Sequence, residues 1–277
     1  MDLNWLECLV LGLVSGITDV LPVSAQAHRA LFLKIFGEYR EPVLLRLAIH
    51  LAVLGTLYYC CSNHIRRIFR QIQLNRIPKK KRKRPVDSKV IAEFKVLRVM
   101  VIPVILSLFL YSKTSGWNMK LNVTALFLLL NGLVLYLPRL MPTGNKDGLS
   151  MSMFDSLLMG LGGGLGALPG VSAVGGMLSV ASVCGSERLF ALNLAYVTNI
   201  VLTAGLVVLD ILEIVATRVV INMSILISCG VAALAAAVGT YFGMRFMRVL
   251  AANEGFGFFA FYSFGCALLS FVFYLLY

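Results

Sequence analysis

Long apolar runs separated by short polar stretches dominate the chain. Leu44–Cys61, Val96–Ser112, Leu121–Leu137, Leu189–Leu209, Val219–Gly243 and Phe256–Tyr277 each approach or reach the length of a bilayer crossing. That length is ~20 residues, because the hydrocarbon core is ~30 Å thick and an α-helix rises ~1.5 Å per residue. Two further apolar stretches, Leu3–Phe36 and Met153–Cys184, are interrupted by Pro, Gly and Ser. The pattern predicts an all-α polytopic membrane protein with six transmembrane helices and two broken apolar segments.

The interrupted stretches resemble each other. The first carries Gly12-Leu13-Val14-Ser15-Gly16 and then Leu21-Pro22-Val23-Ser24-Ala25. The second carries Gly160-Leu161-Gly162-Gly163-Gly164 and then Leu168-Pro169-Gly170-Val171-Ser172-Ala173. Each copy opens one half of an inverted two-half repeat within a single membrane domain, 1–277. The halves are 1–145 and 146–277, and Pro138, Pro142 and Gly144 mark the linker. A helix broken by Pro in the bilayer frees backbone groups that lipid cannot satisfy, so protein or a water-filled cavity must receive them. Paired breaks at matching positions of two halves point to a binding site near the midplane. Close helix packing through small residues is the plainer explanation of the glycines.

Composition agrees with a membrane location. The chain is 59% hydrophobic and 14% charged, against about 25% charged in soluble domains, so it lacks the charge for a polar coat. The net charge of +12 is concentrated between Arg66 and Lys89, with Lys79-Lys80-Lys81-Arg82-Lys83-Arg84 at its centre. Because this loop, 62–95, joins two membrane segments, it is expected on the cytoplasmic side. The C-terminus then falls outside. Anionic lipid headgroups are a second expected partner of the loop; nucleic acid is not. The N-terminus carries Asp2 and Glu7 without a basic region, so it is expected to be part of the fold rather than a signal peptide. The six cysteines lie in or beside apolar segments and lack zinc-site spacing.

Ionisable groups at membrane depth are the candidates for chemistry. The first broken segment holds Asp19 and His28, with Arg29 beside the histidine. Ser15 and Asp19 are four residues apart and share a helix face. Ser24 follows the break, where its hydroxyl or its backbone N–H can be presented. A fresh helix start exposes N–H donors and a positive dipole end, which suits a phosphate. His28 has two readings: a site residue with Asp19, or an interfacial histidine satisfied by a backbone carbonyl. Asp210, Glu213, Glu187 and Arg188 lie at segment ends and read as interfacial anchors or helix caps.

Residues 12–28, Gly-Leu-Val-Ser-Gly-Ile-Thr-Asp-Val-Leu-Pro-Val-Ser-Ala-Gln-Ala-His, resemble the first signature of the undecaprenyl-diphosphate phosphatases, the bacitracin-resistance family. Residues 168–175 resemble its second, Pro-Gly-[Phe/Ile/Val]-Ser-Arg-Ser-Gly. The resemblance implies that the two broken segments are re-entrant helical hairpins whose tips meet in the membrane. It implies removal of one phosphate from a polyprenyl diphosphate carrier of cell-wall synthesis, in the bacterial inner (cytoplasmic) membrane. It implies a catalytic set of Asp19, His28 and Ser24, and a substrate-binding set of Ser15, Gln26, Ser172 and Gly170. It further implies a divalent cation, Mg or Ca, held by Asp19. A homodimer is compatible with it.

The departures from the family pattern are chemical. Ser15 stands where the signature has its first glutamate, and Asp19 replaces the second. Ala25 replaces the second serine of the first motif, a proposed nucleophile. Ala173 and Val174 replace the arginine and serine of the second. Arginine is a bidentate, permanently charged phosphate clamp, and losing one such cation costs on the order of 10³-fold in phosphoryl transfer. Two functions are therefore expected to compete. One is a phosphatase of impaired or altered chemistry; the other is a non-hydrolytic polyprenyl-phosphate binder or flippase. A weaker third is a structural partner of envelope enzymes.

Overall fold

A computed structural model describes residues 3–218, 222–252 and 255–276. Its order is α1 Trp5–Val20, α2 Ala25–Ile35, α3 Val43–Arg76, α4 Ser88–Thr114, α5 Leu121–Leu140, α6 Met153–Gly164, α7 Ala173–Val183, α8 Arg188–Thr217, α9 Met223–Ala252 and α10 Phe259–Leu276. Among the described residues, six segments are long and apolar enough to cross a membrane: α3, Ser88–Trp117, α5, α8, α9 and Phe256–Leu276. The six expected spans are thus all present as helices. Val219 and Tyr277, the outer ends of two expected spans, lie outside the described residues.

Hydropathy underestimates the longest helices. The apolar run ends at Cys61, but α3 continues to Arg76. α4 begins at Ser88, capped by Asp87, whose Oδ1 accepts from the N–H of Lys89 at 3.0 Å. The basic connection is therefore 77–87 rather than 62–95. The reason is physical: apolarity measures the lipid, whereas Arg, Gln and Leu carry a helix on into water at little cost.

The two interrupted stretches become helix pairs with matching local structure. α1 opens on a reciprocal cap between Asn4 and Glu7, and α6 on the same arrangement between Ser152 and Asp155. Both pairs break at Leu-Pro. Both second helices start on a serine cap, Ser24 for α2 and Ser172 for α7.

The glycines of these pairs allow backbone-to-backbone contact. A Cβ on Gly12 would lie 2.1 Å from the carbonyl oxygen of Ala232, and one on Gly16 would lie 2.1 Å from that of Ala236. α1 therefore lies directly on α9. A Cβ on Gly176 would meet the Gly162 carbonyl oxygen at 2.1 Å, which seals α6 against α7. Close packing thus accounts for these glycines. The apolar side chains facing lipid, such as Phe109, Leu234 and Phe242, are exposed in the isolated chain.

Candidate functional site

The break after α1 leaves carbonyl oxygens without a helical partner. The Tyr196 hydroxyl donates to Val20 O at 3.3 Å, and the Ser172 hydroxyl donates to Leu21 O at 3.1 Å. The second break is served in the same way. Ser172 N–H donates to Asn131 Oδ1 at 2.9 Å, Gln26 Nε2 to Gly166 O at 3.3 Å, and Thr114 Oγ1 to Ala167 O at 3.1 Å. Each break is thus stitched to the other and to the long helices around it. That requirement fixes where the two motifs meet.

At the junction is a cavity of about 40 Å³, lined by Asp19, Gln26, Arg29, His50, Ser172, Ala173, Asn199 and Thr203, among others. Asn199 Nδ2 donates to Asp19 Oδ2 at 3.2 Å. Gln26 Oε1 is buried and has no partner. A buried water needs ~10–15 Å³ of such space, so the cavity suits a few waters.

The structure divides the expected residues into two groups. Asp19, Gln26 and Ser172 meet in the cavity. Ser24 and Ser172 hydroxyls both accept cap bonds, from Ala27 N–H at 3.3 Å and Gly175 N–H at 3.0 Å. His28 does not line the cavity. Its Nδ1 lies 2.6 Å from Ser24 O, and its Nε2 lies 2.7 Å from the hydroxyl of Tyr262, against whose ring it stacks. These contacts occupy both ring nitrogens. Ser15 is fully buried in α1 with an unpartnered hydroxyl, outside the cavity lining. Gly170 has φ +95°, and a Cβ there would lie 2.7 Å from Thr124 O. Its glycine serves the approach of the break to α5.

Asp210 departs furthest from expectation. It is not an interfacial anchor but is completely buried. Arg46 Nε donates to its Oδ1 at 2.7 Å, and His50 Nδ1 lies 2.7 Å from its Oδ2. Arg46 also pairs with Glu213 and, at 3.5 Å, with Glu41. Glu41 in turn accepts from Arg29 Nε at 2.6 Å. A continuous ionic chain therefore runs from Glu213, half-exposed, to Arg29 and His50 in the cavity. The sequence carries only part of this: Arg46 with His50, and Asp210 with Glu213, each share a helix face at the end of an apolar run, but nothing in it joins the two pairs. Glu187 does sit at the start of α8, though its side chain makes no cap bond.

The outer end of this chain opens into a larger vestibule of about 720 Å³. Its lining includes Arg40, Glu41, Arg46, Asn118, Glu213 and Thr217. Both polar atoms of the Asn118 side chain are buried without a partner.

The donor set decides whether a metal ion fits. Among the described residues no group of three or more His, Cys, Asp or Glu could hold one. Among the described residues, Asp19 is the only carboxylate lining the cavity, and a guanidinium shares it. Mg²⁺ and Ca²⁺ need six or more oxygen ligands, so these residues alone do not make a site for a bare divalent cation.

Six crossing helices, two stitched helix breaks and an intramembrane cluster of ionisable groups define a polytopic membrane protein with its polar centre at the breaks. The family model for bacitracin resistance protein BacA matches residues 8–269, and the chain belongs to that family. It is similar to undecaprenyl-diphosphatase 1 of Shouchella clausii, with 29% identity over 98% of this chain and 97% of the relative. It is also similar to the undecaprenyl-diphosphatases of Carboxydothermus hydrogenoformans (27% identity, 88% of each chain) and Methanobrevibacter smithii (25%, 93% of each).

Proposed function

We propose that this protein handles a polyprenyl phosphate or diphosphate lipid, with its dephosphorylating chemistry impaired or altered. The observation that carries this reading is the composition of the 40 Å³ junction cavity. It offers one carboxylate, Asp19, and one guanidinium, Arg29, that is already paired with Glu41. Phosphoryl transfer depends on positioning and on cations that stabilise the transferred oxygens. A cavity of this size suits attacking water rather than a diphosphate. The headgroup would bind in the vestibule, near Arg46 and Asn118, with Asp19 beyond it.

A second reading is a flippase that moves the intact lipid. It is favoured by the Arg46–Asp210 pair, which joins α3 of the first half to α8 of the second beside the vestibule. Ion pairs that can exchange partners for a phosphate are a reasonable device for alternating access. On either reading the basic connection faces the cytoplasm and the vestibule the outside of the cell membrane.

The test is phosphate release from undecaprenyl diphosphate by the purified protein with Mg²⁺ or Ca²⁺, beside Asp19→Asn. Weak release, abolished in the variant, supports altered catalysis. Release equal in both overturns a role for Asp19. No release, together with lipid-phosphate movement in liposomes, favours the flippase. Neither release, movement nor lipid binding overturns both readings.

A further inference from the structure

The end of the bundle opposite the vestibule carries a second pocket, of about 300 Å³. Its lining includes Arg139, Thr143, Arg188, Phe256 and Gly257. α5 starts just after the vestibule residues Asn118 and Met119, and Arg139 lies at its far end. α8 ends at Thr217, which lines the vestibule, and Arg188 is its first residue. Helices of 20 and 30 residues put ~30–45 Å between the two pockets at ~1.5 Å per residue.

Several features make this a built anion site rather than a basic rim. Among the described residues, no Asp or Glu lines the pocket and neither arginine forms an ion pair. Arg188 lies over the Phe256 ring at 5.5 Å, and Arg139 over the Phe261 ring at 5.1 Å. Stacking fixes the plane of a guanidinium and leaves its N–H edges free for a ligand. One of those edges is already shut away from solvent: Arg188 Nη1 is buried with no hydrogen-bond partner among the described residues. An unpaired buried donor is costly unless a ligand completes it. Gly257 keeps the arginine in place, since a Cβ there would lie 2.5 Å from Arg139 Cγ.

Two guanidiniums lining one pocket suit a phosphate group, which each can hold through two N–H bonds. The surroundings select its source. Leu140 and Phe258, next in sequence to the lining residues Arg139 and Gly257, and Phe261, under Arg139, are exposed apolar side chains, where a hydrocarbon tail can lie. We infer that Arg139 and Arg188 bind the phosphate headgroup of a membrane lipid, a second site at the far end from the vestibule. The inference goes beyond the proposed function and requires no chemistry at Asp19.

The experiment uses full-length protein in phosphatidylcholine nanodiscs, with undecaprenyl phosphate, phosphatidic acid and inorganic phosphate as separate probes and native mass spectrometry as readout. An Arg139→Gln/Arg188→Gln double variant is expected to lose at least tenfold in lipid-phosphate affinity. Arg245→Gln, an exposed arginine of α9 that does not line this pocket, is expected to change nothing. Equal binding by wild type and the double variant overturns the inference. Binding of inorganic phosphate alone overturns the lipid assignment. If the double variant does not fold, a photoreactive undecaprenyl phosphate replaces it. Crosslinks to peptides spanning 138–143 or 256–261 support the site, and crosslinks confined to 39–46 and 115–119 overturn it.

Discussion

The Ser172 hydroxyl donates to the carbonyl oxygen of Leu21 across 3.1 Å while it accepts the N–H of Gly175 at 3.0 Å. One side chain thus caps α7 and closes the broken end of α1. Ser24, its counterpart, caps α2 with a single bond from Ala27. The two serines occupy equivalent motif positions and do unequal work.

Ser172→Ala is therefore expected to destabilise more than Ser24→Ala. Loss of a cap costs about 1 kcal/mol, and an unsatisfied buried carbonyl adds about 1–3 kcal/mol. Thermal unfolding of the two variants in detergent should rank them in that order. Equal melting temperatures would remove the link between the two breaks.

The glycines of α1 give a second contrast. A Cβ on Gly16 would overlap the α9 backbone at Ala236, whereas one on Gly55 of α3 meets nothing within 4 Å. Gly16→Ala must push α1 off α9 and should cost about 1–3 kcal/mol or more, as overpacking does. Gly55→Ala should stabilise by up to ~1 kcal/mol through helix propensity. Melting temperatures that move in opposite directions are the expected result.

Asp210 and Arg46 are a buried pair from distant parts of the chain. Removing one partner strands a charge, so Asp210→Leu or Arg46→Met alone should cost about 3–5 kcal/mol. The double variant should recover much of that loss, because no uncompensated charge remains between them. His50 and Glu213 still face the pair, so recovery is expected to be partial. A double-mutant cycle on unfolding reads the coupling directly, and additive losses would show that the two act independently.

How much of this was legible in the sequence follows from what each residue contacts. The spans were legible because lipid imposes apolarity over a fixed length. The breaks were legible because Leu-Pro recurs at Pro22 and Pro169. The ionic chain was not, because Arg46 and Asp210 are 164 residues apart and each lies close to the end of an apolar run. The direction of His28 was also hidden. Its spacing from Ser24 predicts a shared helix face, but which neighbour that face meets depends on α10, through Tyr262. Arg29, next in sequence, points to the cavity instead, so adjacent residues on one helix serve opposite sides.

That divergence gives the sharpest functional contrast. His28 holds α2 against α10 through Ser24 O and Tyr262, and it does not line the cavity. Asp19 lines the cavity and receives a single bond, from Asn199. His28→Phe is therefore expected to lower the melting temperature, with the loss of two hydrogen bonds, one buried and one part-buried, at about 1 kcal/mol each. Among molecules that remain folded, the variant should keep its rate of phosphate release or lipid movement. Asp19→Asn preserves shape and removes a charge, so the melting temperature should stay close to wild type while the activity changes. Measuring unfolding and turnover on the same preparations separates the two residues. A His28→Phe protein that is fully folded and inactive would return the histidine to the reaction and place the working centre on the α10 side of the break.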